Sequence, residues 1–387
     1  MRVLTVANQL GSWGGMERSQ LTVCRALAER GHRIDLVYVD AGDFTEEWRQ
    51  VADSMTTVAS TLPRTRAPLT TSYAVLEAAQ GVRDLQPDVI YVYRYLDLPF
   101  ASAVGRLTRA PVVLHLGLPE PDRLPFVIRR SLPTVAMTLA VSYDTAARWR
   151  DSPLLADSVV VVHTGIDMDI YTPAPAGERK VTRRALGIAP DTLLALFAGR
   201  ICPDKGLDVL MEAARRLDAR LPRFQLVVAG GPTFGTDPRE ADRYRNELEA
   251  RAGPADIRWL GRQRDIVPLI AAADVAVAPS VWAEPFSRSV IEPLACGVPV
   301  VASAVGGNPE ILVDGLDRFL VPPRDPGALV EAIVGLEGWR DTEPELGDRC
   351  RNAVVDRLAL GREVDTVEAA LASVARYRPV DPLETYR

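Results

Sequence analysis

Short apolar runs alternate with longer stretches of helical period along this chain, and the alternation passes through the sequence twice. The first series begins with the run Arg2–Ala7 and the second with Thr192–Ala198. Continuous apolar runs of four to eight residues are typical of strands covered on both faces, and the amphipathic stretches between them are typical of the covering helices. The pattern therefore predicts the α/β class, with two Rossmann-like, doubly wound parallel sheets.

A segment rich in proline and charge separates the two series. Residues 173–187 contain few large apolar side chains, which is typical of a linker between domains. The sequence therefore predicts an amino-terminal domain over 1–172, a linker over 173–187 and a carboxyl-terminal domain over 188–362. Two such domains imply an interdomain cleft at the carboxyl ends of both sheets, where ligands bind in open α/β folds.

The charge balance argues against nucleic acid as a partner, and the apolar pattern limits contact with a membrane. Among the 387 residues, 51 acidic side chains outnumber 45 basic ones, and the net charge is −6. Because neither half is basic, we expect no nucleic-acid partner. The start of the chain predicts a strand rather than a signal peptide, and prolines interrupt the longest weakly charged stretch, 266–283. The segment Arg123–Leu132 could touch a lipid headgroup, so we expect at most peripheral membrane contact and favour a core or surface helix there.

Cysteine and histidine usage argues against metal chemistry. The four cysteines lie far apart without a Cys-x-x-Cys pair, and the chain holds only three histidines. This usage is typical of a protein of the reducing cytoplasm, and it favours neither a disulfide framework nor a zinc site. We therefore expect a cytoplasmic protein without a bound metal or cofactor.

A glycine-containing loop follows the first predicted strand. In GSWGGMER, residues 11–18, Gly14 and Gly15 stand just before a predicted helix. Glycine lets a ligand approach the backbone, and the N–H groups at a helix start attract anions. The spacing matches neither a dinucleotide fingerprint nor a Walker loop. The alternative is an ordinary strand-to-helix turn of an α/β protein.

A second loop, AGRICPDKG, follows the first strand of the second series. Arg200 and Lys205 would place two cations beside a helix start, a combination that suits a diphosphate. The alternative is a solvated loop, since surface arginines are common in this chain. Lysine, however, occupies only two of the 45 basic positions, Lys180 and Lys205. This rarity favours a function for Lys205.

Two glutamates eight residues apart mark a third place, AEPFSRSVIEPLACGVPVVAS. If a helix begins near Ser287, Glu284 lies in the preceding loop, and Glu292 lies within the helix and can bind vicinal hydroxyls. The N–H groups of Ser287, Arg288 and Ser289 would then face a phosphate. The alternative is an ordinary i,i+4 ion pair between Arg288 and Glu292.

Two further sets of residues give weaker signals. His115 ends a strand and would project into the cleft, although a single histidine at a strand end is often structural. The run from Trp259 to Arg262 ends a strand of the second series and could frame a flat base. Core packing is an equally good reading of that run.

These motifs, in this order, resemble the family-4 retaining glycosyltransferases of the GT-B fold. GGMER is similar to that family's amino-terminal loop, and AGRICPDKG to its Gly-Arg-x4-Lys-Gly element. EPFSRSVIEPLACGVPVVAS is similar to its Glu-x7-Glu signature, and GGNPEIL with FLVPP to the stretch that follows. Ser287 stands where the family usually has glycine, and Thr164 stands where it usually has asparagine, so the identity of the donor stays open.

The resemblance implies a role for each matching position. Arg200 and Lys205 would neutralise the leaving diphosphate, Glu284 would contact hydroxyls of the donor sugar, and Glu292 would bind the ribose. A helix over about 363–387 would cross back onto the first domain. The implied catalytic residues are Arg200, Lys205, Glu284 and His115. The implied donor-binding residues are Gly14, Gly15, Trp259, Arg262, Phe286, Ser287, Arg288, Ser289 and Glu292.

The resemblance thus predicts a metal-independent hexosyltransferase. The donor would be a nucleotide-diphosphate sugar such as UDP-glucose or UDP-N-acetylglucosamine, transferred with retention of configuration to an acceptor hydroxyl. We favour a small-molecule acceptor, and a lipid-linked or polysaccharide acceptor is the alternative. A sugar-nucleotide epimerase and a non-catalytic sugar-nucleotide binder of the same fold also remain open.

Overall fold

The computed structural model describes residues 1–11, 14–63, 68–118, 121, 123–150, 159–175, 177–232 and 238–375. The chain divides into two compact units of similar size. The first unit comprises Met1–Gly165 and Gly361–Arg387, and the second comprises Ile166–Leu360. Residues 376–387 of the expected final helix lie outside the described residues.

Each unit is built on one parallel sheet, which confirms the predicted α/β class. In the described part of the chain the first sheet has seven strands in the order β3-β2-β1-β4-β5-β6-β7, and the second has six in the order β10-β9-β8-β11-β12-β13. The strands are β1 (Arg2–Gln9), β2 (Arg33–Asp40), β3 (Ser54–Thr57), β4 (Val89–Val92), β5 (Val112–Leu116), β6 (Val135–Ala140), β7 (Val159–Val161), β8 (Leu193–Ala198), β9 (Phe224–Ala229), β10 (Ile257–Gly261), β11 (Val275–Ala278), β12 (Val300–Ser303) and β13 (Leu320–Val321).

Helices connect these strands, as the alternation in the sequence predicts. They are α1 (Gly15–Glu29), α2 (Thr45–Val51), α3 (Pro68–Gly81), α4 (Leu98–Thr108), α5 (Phe126–Ser131), α6 (Tyr143–Arg150), α7 (Glu178–Ala185), α8 (Leu207–Arg220), α9 (Pro238–Ala252), α10 (Val267–Ala272), α11 (Arg288–Ala295), α12 (Asn308–Ile311), α13 (Pro326–Val334), α14 (Trp339–Thr342), α15 (Leu346–Leu358) and α16 (Leu360–Ala375).

The order of the strands places the two conspicuous loops at equivalent points. In the first sheet β1 lies between β2 and β4, with Val3 paired to Ile34 and to Val89. In the second sheet β8 lies between β9 and β11. The chain changes direction of winding at β1 and at β8, and the carboxyl end of such a strand is where open α/β sheets bind ligands. The loops that follow β1 and β8 are those singled out in the sequence.

The structure corrects the expectation that residues 173–187 form a linker. Residues 178–185 form α7, which belongs to the second unit and packs on α10. Arg183 of this helix is buried, and its guanidinium donates to the carbonyl oxygen of Ala272 at 3.0 Å. The segment looked like a linker because it lacks large apolar residues. Its attachment instead depends on hydrogen bonds and ion pairs, which composition does not reveal.

The boundary between the two units also differs from the expected one. Residues 166–172, expected in the first domain, belong to the second unit. Ile166 pairs with Ala359 in an isolated bridge, and the Tyr171 hydroxyl donates to Glu292 at 3.1 Å. Helix α16 groups with the first unit, where the Glu363 carboxylate accepts the N–H of Gly165 at 2.7 Å.

The segment Arg123–Leu132 contains the short helix α5. Ile128 of this helix is buried in the core of the first unit, while Phe126 is exposed beneath the guanidinium of Arg130. No helix in the described residues combines the length and the apolar character that crossing a bilayer needs.

Candidate functional site

The loop after β8 passes close to the backbone that follows β11. Gly206 has a φ of +66°, and a Cβ atom there would lie 2.0 Å from the carbonyl oxygen of Pro279. Only glycine combines this conformation with so close an approach. The N–H of Val281 also donates to the carbonyl oxygen of Asp204 at 2.9 Å. The loop that carries Lys205 is therefore attached to the loop that follows β11.

This attachment brings Lys205 and Glu284 together. The ammonium of Lys205 bonds directly to Glu284 Oε1, and the hydroxyl of Ser280 donates to the same oxygen at 2.5 Å. The side chains are 15% and 5% exposed. Burial by itself raises the pKa of Glu284, but the charge of Lys205 and these hydrogen bonds outweigh it and lower the pKa. The pair is therefore ionic and nearly enclosed.

Two predicted functional residues are thus partners of each other. A ligand that takes the ammonium of Lys205 must share it with Glu284 or replace it. Arg200, in the same loop, differs from Lys205. Within the described ranges its half-buried guanidinium makes no hydrogen bond or ion pair. Its donors remain open to an anion at the carboxyl end of β8.

Glycines downstream hold the backbone of Glu284. Gly306 has a φ of +55°, and a Cβ atom there would lie 1.9 Å from the carbonyl oxygen of Glu284. The N–H of Gly307 donates to that oxygen at 2.8 Å. The GGNPEIL stretch, matched in the sequence without a stated role, therefore positions Glu284. Ser280 is a partner that the motifs in the sequence did not indicate, although its place two residues after β11 was a signal.

The amino terminus of α11 presents backbone donors. Ser287 precedes the helix with an extended conformation, and its side chain does not cap the helix. Its hydroxyl instead bonds to the hydroxyl of Ser289 at 2.9 Å. The first N–H groups of a helix have no acceptor inside it, so those that follow buried Phe286 can receive an anion.

Glu292 adopts the ion pair that the sequence left open as an alternative. Its Oε1 accepts the Nε–H of Arg288 at 2.9 Å and the hydroxyl of Tyr171 at 3.1 Å. Its Oε2 accepts no hydrogen bond from the described residues. Burial acts to lower the pKa of Arg288, but the charge of Glu292 raises it overall. Glu292 is thus held by one oxygen, and its second oxygen stays available.

Tyr171 was also missed, since the sequence analysis assigned residues 1–172 to the other domain. Its ring lies 6.0 Å from the guanidinium carbon of Arg288. No local pattern around Tyr171 indicates a partner 121 residues away.

Trp259 and Arg262 lie at the carboxyl end of the edge strand β10. The guanidinium carbon of Arg245 lies 5.2 Å from the centre of the Trp259 ring, so one face of this half-buried ring carries a cation. The backbone segments that follow β8 and β9 approach each other closely beside this edge. A Cβ atom at Gly230 would lie 1.8 Å from the carbonyl oxygen of Gly199. Both residues thus lie at the expected edge of the sheet.

In the first unit, Gly14 and Gly15 lie at the start of α1. Gly14 has an extended backbone with a φ of −163°, a conformation that any residue adopts. A Cβ atom there would meet only the end of the flexible Glu17 side chain, at 3.1 Å. Gly15 begins the helix and is exposed. Ser12 and Trp13 of the same loop lie outside the described residues.

The structure corrects the expected position of the His115 side chain. The side chain was expected to project from the end of β5, but it is fully buried. Its Nδ1 lies 2.8 Å from the Tyr91 hydroxyl, and its ring centre lies 4.6 Å from that of Tyr93. Burial lowers the pKa of His115 to about 3, so the ring is neutral at pH 7. Two neighbouring tyrosines on β4 and the loop after it enclose the ring, and a strand pattern does not reveal such neighbours.

Family models match both halves of the chain. Residues 13–170 match the model described as Glycosyltransferase Family 4. Residues 178–351 match the model described as Glycosyl transferases group 1. The second match contains every charged residue of the site in the second unit.

Individual proteins are similar to parts or to the fold of this chain. A D-inositol 3-phosphate glycosyltransferase of Geodermatophilus obscurus is 44% identical over 225 residues, 56% of this chain and 47% of that protein. A second protein of that name from Catenulispora acidiphila is 40% identical over 203 residues, 51% of this chain and 45% of that protein. The chain thus matches just under half the length of these curated relatives. Crystallised Anabaena Alr3699/HepE, in complex with UDP and glucose, has a TM-score of 0.82 at 21% identity, covering 96% of this chain and 100% of its own.

Proposed function

Because the first half of this chain carries a glycosyltransferase family 4 domain and its second half a group 1 glycosyl transferase domain, together the GT-B fold, we propose that the protein is a retaining hexosyltransferase. In this proposal it moves a hexosyl group from a nucleotide-diphosphate sugar to an acceptor hydroxyl without a metal ion. The second unit binds the donor, and the first unit binds the acceptor.

The observation that carries this proposal is the nearly enclosed Lys205–Glu284 pair beside Arg200. When the glycosidic bond of a nucleotide sugar breaks, negative charge develops on the leaving diphosphate. Fixed cations stabilise that charge more strongly than they stabilise the bound substrate, and this difference lowers the barrier. Lys205 and Arg200 supply two such cations, and the N–H groups at the start of α11 supply neutral donors.

The same pair suits a sugar on its other side. If Lys205 turns toward the diphosphate, Glu284 loses part of its partner in a site that is almost dry. A buried carboxylate without hydrogen bonds is costly, and hydroxyls of the hexose replace the lost bond. Binding the donor thus exchanges one ion pair for two donor contacts. This exchange requires both a diphosphate and a sugar, so it selects nucleotide sugars over nucleotides.

Glu292 is the proposed ribose ligand. Tyr171 and Arg288 hold Oε1, and Oε2 is available for a vicinal hydroxyl. Trp259 and Arg262 are proposed to lie beside the base, which we propose to be uracil. The similarity of fold to a protein crystallised with UDP and glucose supports this donor, with UDP-glucose and UDP-N-acetylglucosamine as the first candidates.

For the acceptor we propose a small molecule with a free hydroxyl. The name of the curated relatives, D-inositol 3-phosphate glycosyltransferase, supports a small polyol or its phosphate as the first class to try. A lipid-linked acceptor is the alternative to be measured beside it.

The experiment is incubation of the full chain with UDP-glucose or UDP-N-acetylglucosamine, with and without EDTA, followed by NMR of the products. We expect release of UDP in EDTA, by slow hydrolysis alone and faster with an acceptor, and an α-anomeric product from these α-linked donors. A strict requirement for a divalent metal or an inverted product would contradict the proposed mechanism. Interconversion of the donor sugars would identify an epimerase, and binding without turnover a sugar-nucleotide binder.

A matched pair of variants ties this activity to the site. Lys205→Ala should abolish most of the turnover, whereas Lys180→Ala removes the chain's other lysine, an exposed residue on α7, and should not. Equal activity in both variants would show that Lys205 is not the cation that the proposal requires.

A further inference from the structure

Three arginines converge on one aspartate at the amino-terminal edge of the second sheet. Asp274 immediately precedes β11, and its carboxylate accepts from Arg179 at 2.6 Å and from Arg183 at 3.1 Å. The Nε of Arg340, on α14, lies 3.8 Å from the same carboxylate. In the described part of the chain no other carboxylate forms an ion pair with these three guanidinium groups. Three positive charges thus face one negative charge.

The remaining bonds of these arginines go to neutral groups. Arg179 donates to the carbonyl oxygen of Ala272 at 2.5 Å, and Arg340 to that of Ala273 at 2.9 Å. The Nε atoms of Arg183 and Arg340 are buried, and neither has a hydrogen-bond partner. Burial, followed by the charge of Arg179, lowers the pKa of Arg340 to about 10. The carbonyl dipoles stabilise the cluster, but they do not neutralise its excess charge.

This cluster forms one wall of a pocket within the second unit. The pocket has a volume of about 300 Å³, and Arg179 and Arg340 line it. Pro173 and Pro175 supply apolar lining. The Trp339 ring also lines the pocket, and its centre lies 4.2 Å from the guanidinium carbon of Arg340. Exposed Asp348 is the only carboxylate among its described lining residues. A pocket of this size with an apolar wall and a few charged groups suits a small organic molecule.

We propose that this pocket binds a small organic anion, with its phosphate or carboxylate group between Arg179 and Arg340 and its carbon skeleton against Trp339 and the prolines. Guanidinium groups present paired donors that match both oxyanions. The site is separate from the proposed donor site. Asp274 precedes β11 at one edge of the sheet, whereas Ser280 and Glu284 follow β11 at the other.

Calorimetric titration of the full chain with phenyl phosphate tests the proposal, with phenol as the neutral counterpart and benzoate as the carboxylate. We expect phenyl phosphate to bind and phenol not to bind. Comparison with benzoate distinguishes a phosphate site from a general oxyanion site. Absence of binding by both anions would overturn the proposal.

Variants locate the bound anion. Arg340→Gln should weaken binding about tenfold or more, because it removes a charged hydrogen-bond donor. Arg215→Gln removes the same charge from an exposed position on α8 and should leave the affinity unchanged. Asp348→Asn should tighten binding roughly two- to fivefold, since it removes a nearby negative charge.

Two further variants keep the outcome decisive. Ala174→Glu adds a negative charge at the pocket wall and keeps every arginine, so it should weaken binding even if Arg340→Gln does not fold. Arg200→Gln should leave the affinity for phenyl phosphate unchanged. If Arg200→Gln abolishes binding and the pocket variants do not, the anion occupies the loop after β8 and this proposal is wrong. That result would leave the proposed transferase activity untouched.

Discussion

The two units share one architecture but use their buried polar side chains in different ways. In the first unit His115 and Tyr91 bond to each other and are completely enclosed. In the second unit Lys205 and Glu284 form an ion pair that keeps some exposure. A neutral, sealed pair stabilises a core, whereas a charged pair at the end of a central strand can exchange partners with a ligand. The two units thus differ in their loops and buried polar pairs rather than in the fold that carries them.

The loops after the two central strands differ in the same sense. Gly206 in the second unit has a φ that favours glycine and no room for a side chain, because its backbone passes close to the carbonyl oxygen of Pro279. Gly14 in the first unit has an extended backbone and space beside it. The loop of the second unit is therefore positioned by close packing of the backbone. The loop of the first unit lacks that constraint at Gly14.

The largest expected effect concerns Lys205. Lys205→Ala should lower kcat/KM by about 3–4 kcal/mol of transition-state stabilisation, the magnitude of losing one well-placed donor to a developing anion. Lys205→Arg should recover only part of the loss, because a planar fork does not replace a compact ammonium. Steady-state kinetics on folded variants, checked by circular dichroism, measure both. Full activity of the arginine variant would show that charge alone suffices.

The two glutamates of the second unit should separate in their kinetics. Glu284→Gln should lower kcat roughly a hundredfold, because Glu284 contacts the reacting sugar in the proposal. Glu292→Gln should mainly raise the KM for the donor, by about tenfold, because ribose contacts are alike in ground and transition states. Donor titrations at saturating acceptor give both constants. If both variants change only KM, the role proposed for Glu284 is wrong.

A third prediction tests the sealed pair of the first unit. His115 has a pKa of about 3 when folded and 6.5 as its ordinary value, so between these values the unfolded chain binds a proton that the folded chain does not. Its contribution to stability is complete above pH 6.5 and falls as the pH decreases toward 3. From pH 7 to pH 5 this loss amounts to about 2 kcal/mol, and His115→Gln should remove it.

Urea unfolding at pH 7 and pH 5 measures that slope, with His163→Gln as a control that replaces a half-buried histidine of the same unit. His115→Gln also tests the comparison between the two units. If folded His115→Gln protein loses all turnover, the first unit also contributes chemistry, and the contrast drawn above does not hold.

Removing one hydrogen bond to Glu292 should change the donor KM least. Tyr171→Phe removes the hydroxyl that donates to Oε1 and leaves Arg288 in place. The loss of one hydrogen bond of about 1 kcal/mol should raise the donor KM several-fold without changing kcat. Tyr143→Phe, at an exposed tyrosine of the first unit, is the matched control. A change in kcat with constant KM would indicate that Tyr171 acts on the reacting sugar.

The sequence by itself was enough to predict the class of fold. The runs that form β1 and β8 are short and mainly apolar, and amphipathic stretches follow them, a pattern typical of buried parallel strands. Helix α11 begins within one residue of its predicted start. These features depend on residues close together in the chain. The candidate residues of the second unit were predicted for the same reason, since Arg200, Lys205, Glu284 and Glu292 lie in short motifs.

Which of these groups are partners depends on contacts between segments that are distant in the sequence. Lys205 and Glu284 are 79 residues apart, and Arg183 and Asp274 are 91 apart. Lys205 and Glu284 were expected to contact a ligand independently, but they form one ion pair. Arg183 and Asp274 join the segment that was expected to be a linker, as a packed helix, to the second unit. His115 likewise became a core residue through a tyrosine on another strand. Local patterns follow from the backbone and from neighbouring side chains. The pairing of buried charges follows from which distant segments the sheets bring together, because each buried charge needs a partner that packing alone supplies.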